Sequence, residues 1–303
     1  MSSGVETQPA LQPLAKSTAA RPRPIWQKRF GKIAGEVGWH AVMLLVCAFV
    51  LIPIAMVVLG SFKTVTEFFS NPYGLPESFD FFNYRKAWDE ANLQRATWNS
   101  LVSTVFGVVF STALACLAAY GLARFAFRGR MVLRLLFIGG LVVPVQLIII
   151  PIFIMARQAN LLGSIWSLVL VYSVFGIPLG VLVLTGFFAQ LPKDLEDAAR
   201  IDGASHFQIF WRIMLPLTRP AISAVVILNG VWMWNDFFLG LILLTREESQ
   251  TLPVGIMAFR GTYTTEWGLI FASVTISIIP VVAAYLLLSR QFIAGLTAGS
   301  VKG

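Results

Sequence analysis

The chain divides into long apolar runs separated by polar segments, and the runs set the predicted elements. Crossing the roughly 30 Å of bilayer hydrocarbon takes a helix of about 20 predominantly apolar residues. Because lipid offers the backbone no hydrogen-bond partner, every run of that length is expected to be helical. The sequence therefore predicts an all-α membrane protein with six transmembrane helices. The six runs cover residues 40–62, 101–123, 135–156, 165–190, 221–245 and 267–289.

The segments outside the runs give the predicted domain organisation. Residues 1–39, rich in Pro, Ser, Ala, Lys and Arg, are predicted to be a cytoplasmic tail, and residues 40–303 one membrane domain. The first run holds 23 residues and no A-x-A-like cleavage site follows it, so we expect it to remain in the mature chain. The connection at 63–100 is aromatic-rich and is expected to form a structured cap outside the membrane.

Composition and charge support this class and exclude others. The chain is 57% apolar and 13% charged, whereas a soluble globular domain is about 45–50% apolar and about 25% charged. A soluble enzyme or a disordered chain is therefore excluded. The net charge of +8 agrees with basic cytoplasmic loops, because most of the 23 basic residues fall on one side of the predicted spans. We expect both termini to be cytoplasmic and nucleic acid not to be a partner.

The sequence lacks the groupings that carry catalysis or metal binding. Cys47 and Cys116 lie inside apolar runs and have no metal-ligand spacing. His40 and His206 stand apart from them and from each other. A phosphate-binding loop of the G-x-x-x-x-G-K-[ST] type is absent from the sequence. We therefore expect no catalytic residue, no metal site and no cofactor in this chain, and do not expect it to be an enzyme.

The polar connection at 191–220 has the strongest local pattern. Acidic residues after Pro192 indicate a helix start, and Gly203 indicates its end. Ser205 and Gln208 form a capping-box pair that starts a second short helix, which Pro216 is predicted to end. Bulky apolar residues at helical spacing give this second helix a stripe suited to a groove in another protein. The stripe consists of Phe207, Phe210, Trp211 and Met214.

This connection resembles a motif of a known family. The spacing of Asp197-Ala198-Ala199, Gly203, Ile213 and Leu215-Pro216 is similar to the EAA motif in permease subunits of bacterial ABC importers. In that family the loop docks into a cleft of the ATPase subunit. One departure is that Asp197 stands where the motif has Glu, with Glu196 just before it, so either acid is a candidate for the ATPase contact. The resemblance implies these ATPase-coupling residues: Glu196, Asp197, Ala198, Ala199, Asp202, Gly203, Phe207 and Pro216.

Three further stretches look like those of the carbohydrate importers. The stretches at 234–242, 250–255 and 295–303 are similar to the smaller, six-span permease of maltose-type systems. The resemblance implies the permease fold of a type I ABC importer in the bacterial inner membrane. It also implies four kinds of partner: a second homologous permease, two ATPase subunits that bind ATP and Mg, an extracytoplasmic sugar-binding protein, and membrane lipid.

Polar side chains inside the runs are candidates for the substrate pathway. Asp236 is the only charged residue in a run, and such residues are costly in lipid and often functional. Polar and aromatic residues near it suit sugar hydroxyls and rings, although the same residues could bond across a helix interface. The pathway candidates are Asn229, Trp232, Asn235, Asp236, Gln146 and Tyr172. The Gly176-x-x-x-Gly180 pair is interpreted as helix packing.

Other functions remain open at this point. A permease of an ABC importer for an amino acid, a peptide or a polyamine would share the loop motif, but not the sugar-type C-terminal stretch. A proton- or sodium-driven secondary transporter would need coupling acids in mid-span and no ATPase-docking loop. A multispan membrane enzyme would need a reactive group. The lack of Lys and Arg inside the runs favours a neutral sugar as the cargo.

Overall fold

The computed structural model describes residues 25–90, 92–261 and 265–300, with side chains for 36–89, 92–261 and 265–287. Within these residues the chain is helical, with a single isolated β-bridge between Arg260 and Thr265. The helices are α1 (Ile25–Gly60), α2 (Val65–Ser70), α3 (Phe82–Glu90), α4 (Leu93–Arg124), α5 (Arg130–Val142), α6 (Val145–Gln158), α7 (Ile165–Gln190), α8 (Asp194–Ile201), α9 (His206–Ile209), α10 (Leu215–Leu217), α11 (Arg219–Asn235), α12 (Phe238–Leu243), α13 (Leu252–Ile256) and α14 (Trp267–Ser300).

Four of the described helices are long and apolar enough to cross a membrane: α1 from Glu36, α4, α7 and α14 as far as Leu287. Two bent helix pairs pass the same test of length and composition: α5 with α6, and residues 206–217 with α11. If each pair counts as one span the total is six, the predicted number, although the second pair begins before the predicted run at 221–245. The all-α class is confirmed. Most of the predicted tail, residues 1–24, lies outside the described residues, whereas α1 already begins at Ile25, before the apolar run at 40. The sugar-type stretch at 295–303 lies where side chains are not described.

Two of the apolar runs are not the continuous helices that the sequence predicted. The run at 135–156 is split into α5 and α6, whose axes differ by 100°. The break falls at Val143 and Pro144, both extended, because a proline disfavours the helical conformation in the residue before it and has no N–H to donate. The run at 221–245 is likewise interrupted at Asp236, where the backbone is extended between α11 and α12.

The interior is built on close packing of α4 against α7. Small residues allow the two helices to approach. A Cβ atom added at Gly180 would lie 2.5 Å from the Cβ of Ala115, and one at Gly176 would lie 2.7 Å from Ser111. The packing interpretation of this glycine pair is therefore supported by the contacts of both glycines. Buried apolar clusters extend from this interface to α9 and α11 at one end and to α12 and α14 at the other.

The connection at 63–100 is structured, as predicted. It contains α2 and α3, and the rings of Phe79 and Phe81 pack edge-on against Phe62. Lys63 is fully buried, and its ammonium group donates to the carbonyl oxygens of Asn71 and Gly74, both at 2.6 Å. These bonds close the loop after α2 onto the end of α1.

Candidate functional site

The first half of the 191–220 loop is a short helix followed by a glycine turn. Acidic side chains occupy the first turn of α8, where the positive end of the helix dipole favours them. The helix ends at Ile201, and Gly203 has φ of +81°, in the left-handed region that a glycine adopts most easily. The amide of Ala204 then donates to the carbonyl oxygen of Ala199 at 2.9 Å. The predicted helix, glycine turn and second helix are all present.

The second helix starts at the predicted capping box. The amide of Gln208 donates to Oγ of Ser205 at 3.3 Å, and the amide of Ser205 donates to Oε1 of Gln208 at 2.8 Å. Two amides at the start of α9 are thereby satisfied by side chains. This reciprocal pair fixes the direction in which the second helix leaves the glycine turn.

The second helix ends at Leu217, one residue after the predicted end at Pro216. After α9 the chain forms a π-helical turn, Phe210–Met214, and continues through Pro216 in α10. The amide of Leu215 bonds the carbonyl of Phe210, so the register is already shifted when the chain reaches the proline, which has no amide to donate. The path bends by 74° only at the junction with α11. There the hydroxyl of Thr218 donates to the carbonyl of Met214 at 2.7 Å.

The predicted apolar stripe divides into a buried and an exposed part. Phe210 and Met214 are buried, and Phe210 packs against the rings of Tyr120 and Phe188. Phe207 and Trp211 are 67% and 50% exposed and lie in ring contact with each other. The loop therefore has one face fixed to the spans and another that presents large apolar side chains.

Ile201 belongs to the exposed surface and was missed by sequence reasoning. Its side chain is 87% exposed at the end of α8, immediately before the glycine turn. The signal in the sequence was an isolated large apolar residue in a polar helix. We use the name apolar loop surface for the exposed side chains of Ile201, Phe207 and Trp211.

The two neighbouring acids of the motif have opposite environments. Glu196 is buried, and its carboxylate lies 2.8 Å from Nε of Arg124 at the end of α4. The side chain of Asp197 is 62% exposed and pairs with Arg200 at 3.3 Å. Arg124 was not predicted as a site residue, although it is a basic residue that ends a span on the same side as the loop.

The remaining motif residues fall on both faces of the loop. Ala199 is buried among apolar side chains at the ends of α4 and α7. Ala198, Asp202 and Gly203 are exposed, and Pro216 is partly buried. The exposed members lie in the same stretch of chain as the apolar loop surface.

Three of the predicted pathway residues meet between α7 and α11. The hydroxyl of Tyr172 donates to Oδ2 of Asp236 at 3.0 Å, and the ring of Trp232 packs edge-on against Tyr172. The same carboxylate oxygen accepts from the amides of Leu239 and Gly240, at 3.2 and 3.3 Å. Asp236 thereby satisfies the first amides of α12 at the break in the fifth run.

The other pathway candidates are not part of this contact group. Asn229 is buried and donates to the carbonyl of Gly176 at 3.0 Å, across the interface of α11 and α7. Asn235 donates to the carbonyl of Val231 within α11. Gln146 is exposed near the start of α6. Among the described residues it forms no hydrogen bond with Tyr172, Trp232 or Asp236.

The comparisons with known proteins agree over most of the chain. Residues 93–296 match the family described as binding-protein-dependent transport system inner membrane component. The chain is 33% identical over 291 residues to the diacetylchitobiose uptake system permease protein NgcG of Streptomyces coelicolor, covering 95% of this chain and 93% of that protein. It is 35% identical over 250 residues to a probable starch degradation products transport system permease protein, AmyC, of Thermoanaerobacterium thermosulfurigenes, covering 82% and 91%.

A solved structure has the same fold. A chain in the crystal structure of a bacterial ABC transporter involved in the import of the acidic polysaccharide alginate superposes with a TM-score of 0.76. The match covers 87% of this chain and 98% of that chain, at 24% sequence identity. At this identity the likeness concerns the fold, and it agrees with the type I importer fold implied by the motif.

Proposed function

The chain belongs to the binding-protein-dependent transport system inner membrane component family, and on that basis we propose that it is a permease subunit of an ATP-driven importer of sugars. The apolar loop surface carries the ATPase-coupling part of this proposal. Large apolar side chains at the polar end of a membrane protein need a partner that removes them from water. A groove on an ATPase subunit is such a partner. The ATPase subunit would also supply the ATP and Mg sites that this sequence lacks.

The sugar cargo is supported by the relatives. Two similar permeases are described as serving uptake of diacetylchitobiose and of starch degradation products. Both cargoes are carbohydrates. We propose an oligosaccharide or a related glycoside for this chain, because its apolar runs carry no Lys or Arg to pair with an anionic cargo.

The partners follow from the family and from the chain's own surfaces. We propose a second, homologous permease, two ATPase subunits on the side of the 191–220 loop, and a sugar-binding protein on the side of the 63–100 cap. We propose the bacterial inner membrane as the cellular location, which agrees with the description of the family. In this arrangement ATP binding would draw the ATPase subunits together and displace the loop, which would shift the spans between inward- and outward-facing states.

The environments of the two acids distinguish their proposed roles. Asp197 is the acid available to an ATPase subunit, because its carboxylate is largely exposed. Glu196 is buried and paired with Arg124, so it attaches the loop to α4. Ala198, Asp202, Gly203 and Phe207 belong with Asp197 in the proposed ATPase contact, since all four are exposed.

The pathway proposal narrows to Trp232, the exposed member of the contact group, and to Asn235, which lies outside the group on the same helix. Trp232 is 39% exposed, and Asn235 is exposed beside it on α11. We propose that these two side chains meet the sugar, with an aromatic face and an amide. Tyr172 and Asp236 would hold the break between α11 and α12 in place, and Asn229 would pack α11 against α7.

The test is to tag the chain, purify it gently from its native membrane and identify what co-purifies. We expect a second permease and an ATPase in twofold excess over this chain. Phe207→Ser should reduce the amount of bound ATPase at least tenfold. The matched control is Phe82→Ser in the 63–100 cap, whose side chain is 61% exposed against 67% for Phe207 and which should leave ATPase binding unchanged.

The cargo is tested on the same preparation. The associated binding protein would be screened against a panel of oligosaccharides, amino acids, peptides and polyamines. Binding of an oligosaccharide supports the proposal, and binding of only a non-sugar would contradict the cargo. A chain that purifies alone or as a homodimer in several mild detergents would contradict the importer assignment itself.

A further inference from the structure

A buried ion pair joins the 191–220 loop to the end of a span. Nε of Arg124 lies 2.8 Å from Oε1 of Glu196, and each side chain is only 5% exposed. A second guanidinium nitrogen of Arg124, Nη2, donates to the carbonyl oxygen of Leu191 at 2.8 Å. One residue of α4 thus holds both the end of α7 and the first turn of α8.

Apolar packing continues this attachment along α4. Tyr120 lies one helical turn before Arg124, and its ring contacts Phe210 in the π-helical turn at a centroid distance of 5.1 Å. Phe188 of α7 packs against the same ring at 5.6 Å. Both halves of the loop therefore rest on α4, the first through charge and the second through aromatic contact.

The burial of the pair makes separation of the two charges unfavourable. A buried charge that loses its partner keeps its desolvation penalty without the compensating attraction. The other cation near Glu196 is Arg200, whose side chain is 46% exposed and 3.5 Å away. An exposed arginine at that distance is a weak substitute, because water screens it and it is free to leave. The pair is expected to stay closed while the loop moves.

The opposite end of the loop has a different connection. There the chain reaches α11 through the 74° bend, next to the π-helical turn. Hinge motions are absorbed by a few residues in loops or at the ends of elements, and Thr218 lies at such a junction, between α10 and α11. Both helices of the loop are thus held by α4, and the loop is joined to α11 by a bend at its end.

We propose that Arg124 and Glu196 are positioning residues that lock the 191–220 loop to α4, so that a displacement of the loop moves α4 with it as one body. This inference rests on the proposed function, because the displacing force comes from the ATPase subunits. In this inference α4 and the adjoining end of α7 move together with the loop. The bend before α11 absorbs the relative motion between the loop and α11.

The first experiment measures whether the loop and α4 move together. Spin labels are placed at Trp98, 63% exposed near the outer end of α4, and at the exposed Lys193 beside α8, with Cys47 and Cys116 replaced. The distance distribution is recorded in the full importer complex, with and without a non-hydrolysable ATP analogue. A narrow distribution that does not shift supports the inference. A shift of more than about one helical turn, 5.4 Å, would overturn it.

The second experiment removes the pair. Glu196→Gln and Arg124→Gln are expected to broaden the same distribution at least twofold in the nucleotide-bound complex, whereas Arg124→Lys keeps the charge and should remain narrow. The matched control is Arg95→Gln at the other end of α4. Arg95 also pairs with a glutamate, Glu248, but both side chains are about 60% exposed, so its loss should change nothing.

The outcomes separate this inference from the proposed function. If no ATPase co-purifies with the unsubstituted chain, the proposed function fails, and with it the source of the motion. If the ATPase is bound and Glu196→Gln and Arg124→Gln both keep the narrow distribution, the lock is wrong while the importer assignment stands. Should these variants fail to accumulate, the unsubstituted chain and Arg124→Lys still decide, because a nucleotide-dependent shift in either contradicts movement as one body.

Discussion

At the scale of single residues, the neighbouring acids Glu196 and Asp197 differ in their surroundings more than in their chemistry. Successive residues of a helix point about 100° apart, so one carboxylate turns toward α4 while the next faces outward. The sequence pattern offered both as contacts for the ATPase. Only the position of Arg124 distinguishes them, and that position depends on how α4 packs beneath the loop.

We predict that the two neutralising substitutions lower stability by different amounts. Glu196→Gln leaves the buried guanidinium without its counter-charge and should lower stability by about 3 kcal/mol, the lower end for a broken buried pair. Asp197→Asn removes a largely exposed carboxylate and should lower stability by less than about 1 kcal/mol, while it weakens ATPase binding. Thermal unfolding in detergent, read alongside ATPase co-purification, checks both. Equal loss of stability in the two variants would contradict the division of roles.

At Gly203 the backbone conformation determines which residues the position tolerates. Its φ of +81° is costly for other residues, and an added Cβ would meet no atom within 4 Å, so a substitution acts through conformation rather than through a clash. Gly203→Val should misdirect the second helix and abolish uptake while membrane insertion persists. Gly203→Asn is the control, because asparagine tolerates the left-handed region far better. Uptake by the valine variant at the unsubstituted rate would show that the turn does not set the geometry of the loop.

At the scale of helices, small residues allow α4 and α7 to pack closely. The packed face and the open face of α7 each carry a glycine, so the two faces can be compared within one helix. Gly180 approaches Ala115 closely, whereas a Cβ at Gly186 would meet nothing within 4 Å. Apolar composition is high along the whole of α7, so hydropathy does not reveal which face is packed. The spacing of the glycines was the only guide.

We predict that Gly180→Ala and Gly186→Ala have opposite signs. The first forces α4 and α7 apart and should destabilise the protein by about 1–3 kcal/mol, as overpacking does. The second removes a flexible residue from a helix and should be neutral or stabilising by up to about 1 kcal/mol. Thermal unfolding of the two purified variants is the measurement. Destabilisation by both to the same extent would mean that the close approach at Gly180 does not carry the interface.

Sequence reasoning predicted the elements better than their breaks. The apolar runs, the glycine turn and the Ser205 cap depend on local chemistry, and the structure contains all of them. The break at Pro144 had a local signal too, but prolines at Pro53, Pro178 and Pro280 lie inside continuous helices, so the residue type alone does not distinguish them. The break at Asp236 and the burial of Glu196 depend on tertiary partners, Tyr172 and Arg124, that no local pattern identifies.

At the scale of the whole molecule, the bent pair of α5 and α6 decides the sidedness of everything that follows it. If the pair crosses the membrane once, the 63–100 cap and the 191–220 loop lie on opposite sides. If it enters and returns on one side, the order of all later segments is reversed and the two lie together. The concentration of basic residues in the 124–134 and 191–220 connections favours the single crossing, because both would then be cytoplasmic.

Accessibility of single cysteines to a membrane-impermeant maleimide tests this order. In a background without Cys47 and Cys116, Tyr73→Cys in the cap, Gln158→Cys at the end of α6 and Lys193→Cys beside α8 each place a thiol at an exposed position. We expect the first two to react in right-side-out vesicles and Lys193→Cys to react only in inside-out vesicles. Reaction of Tyr73→Cys and Lys193→Cys from the same side would establish that α5 and α6 form a re-entrant pair. The apolar loop surface would then face away from the ATPase, and the coupling role proposed for the 191–220 loop would fail with it.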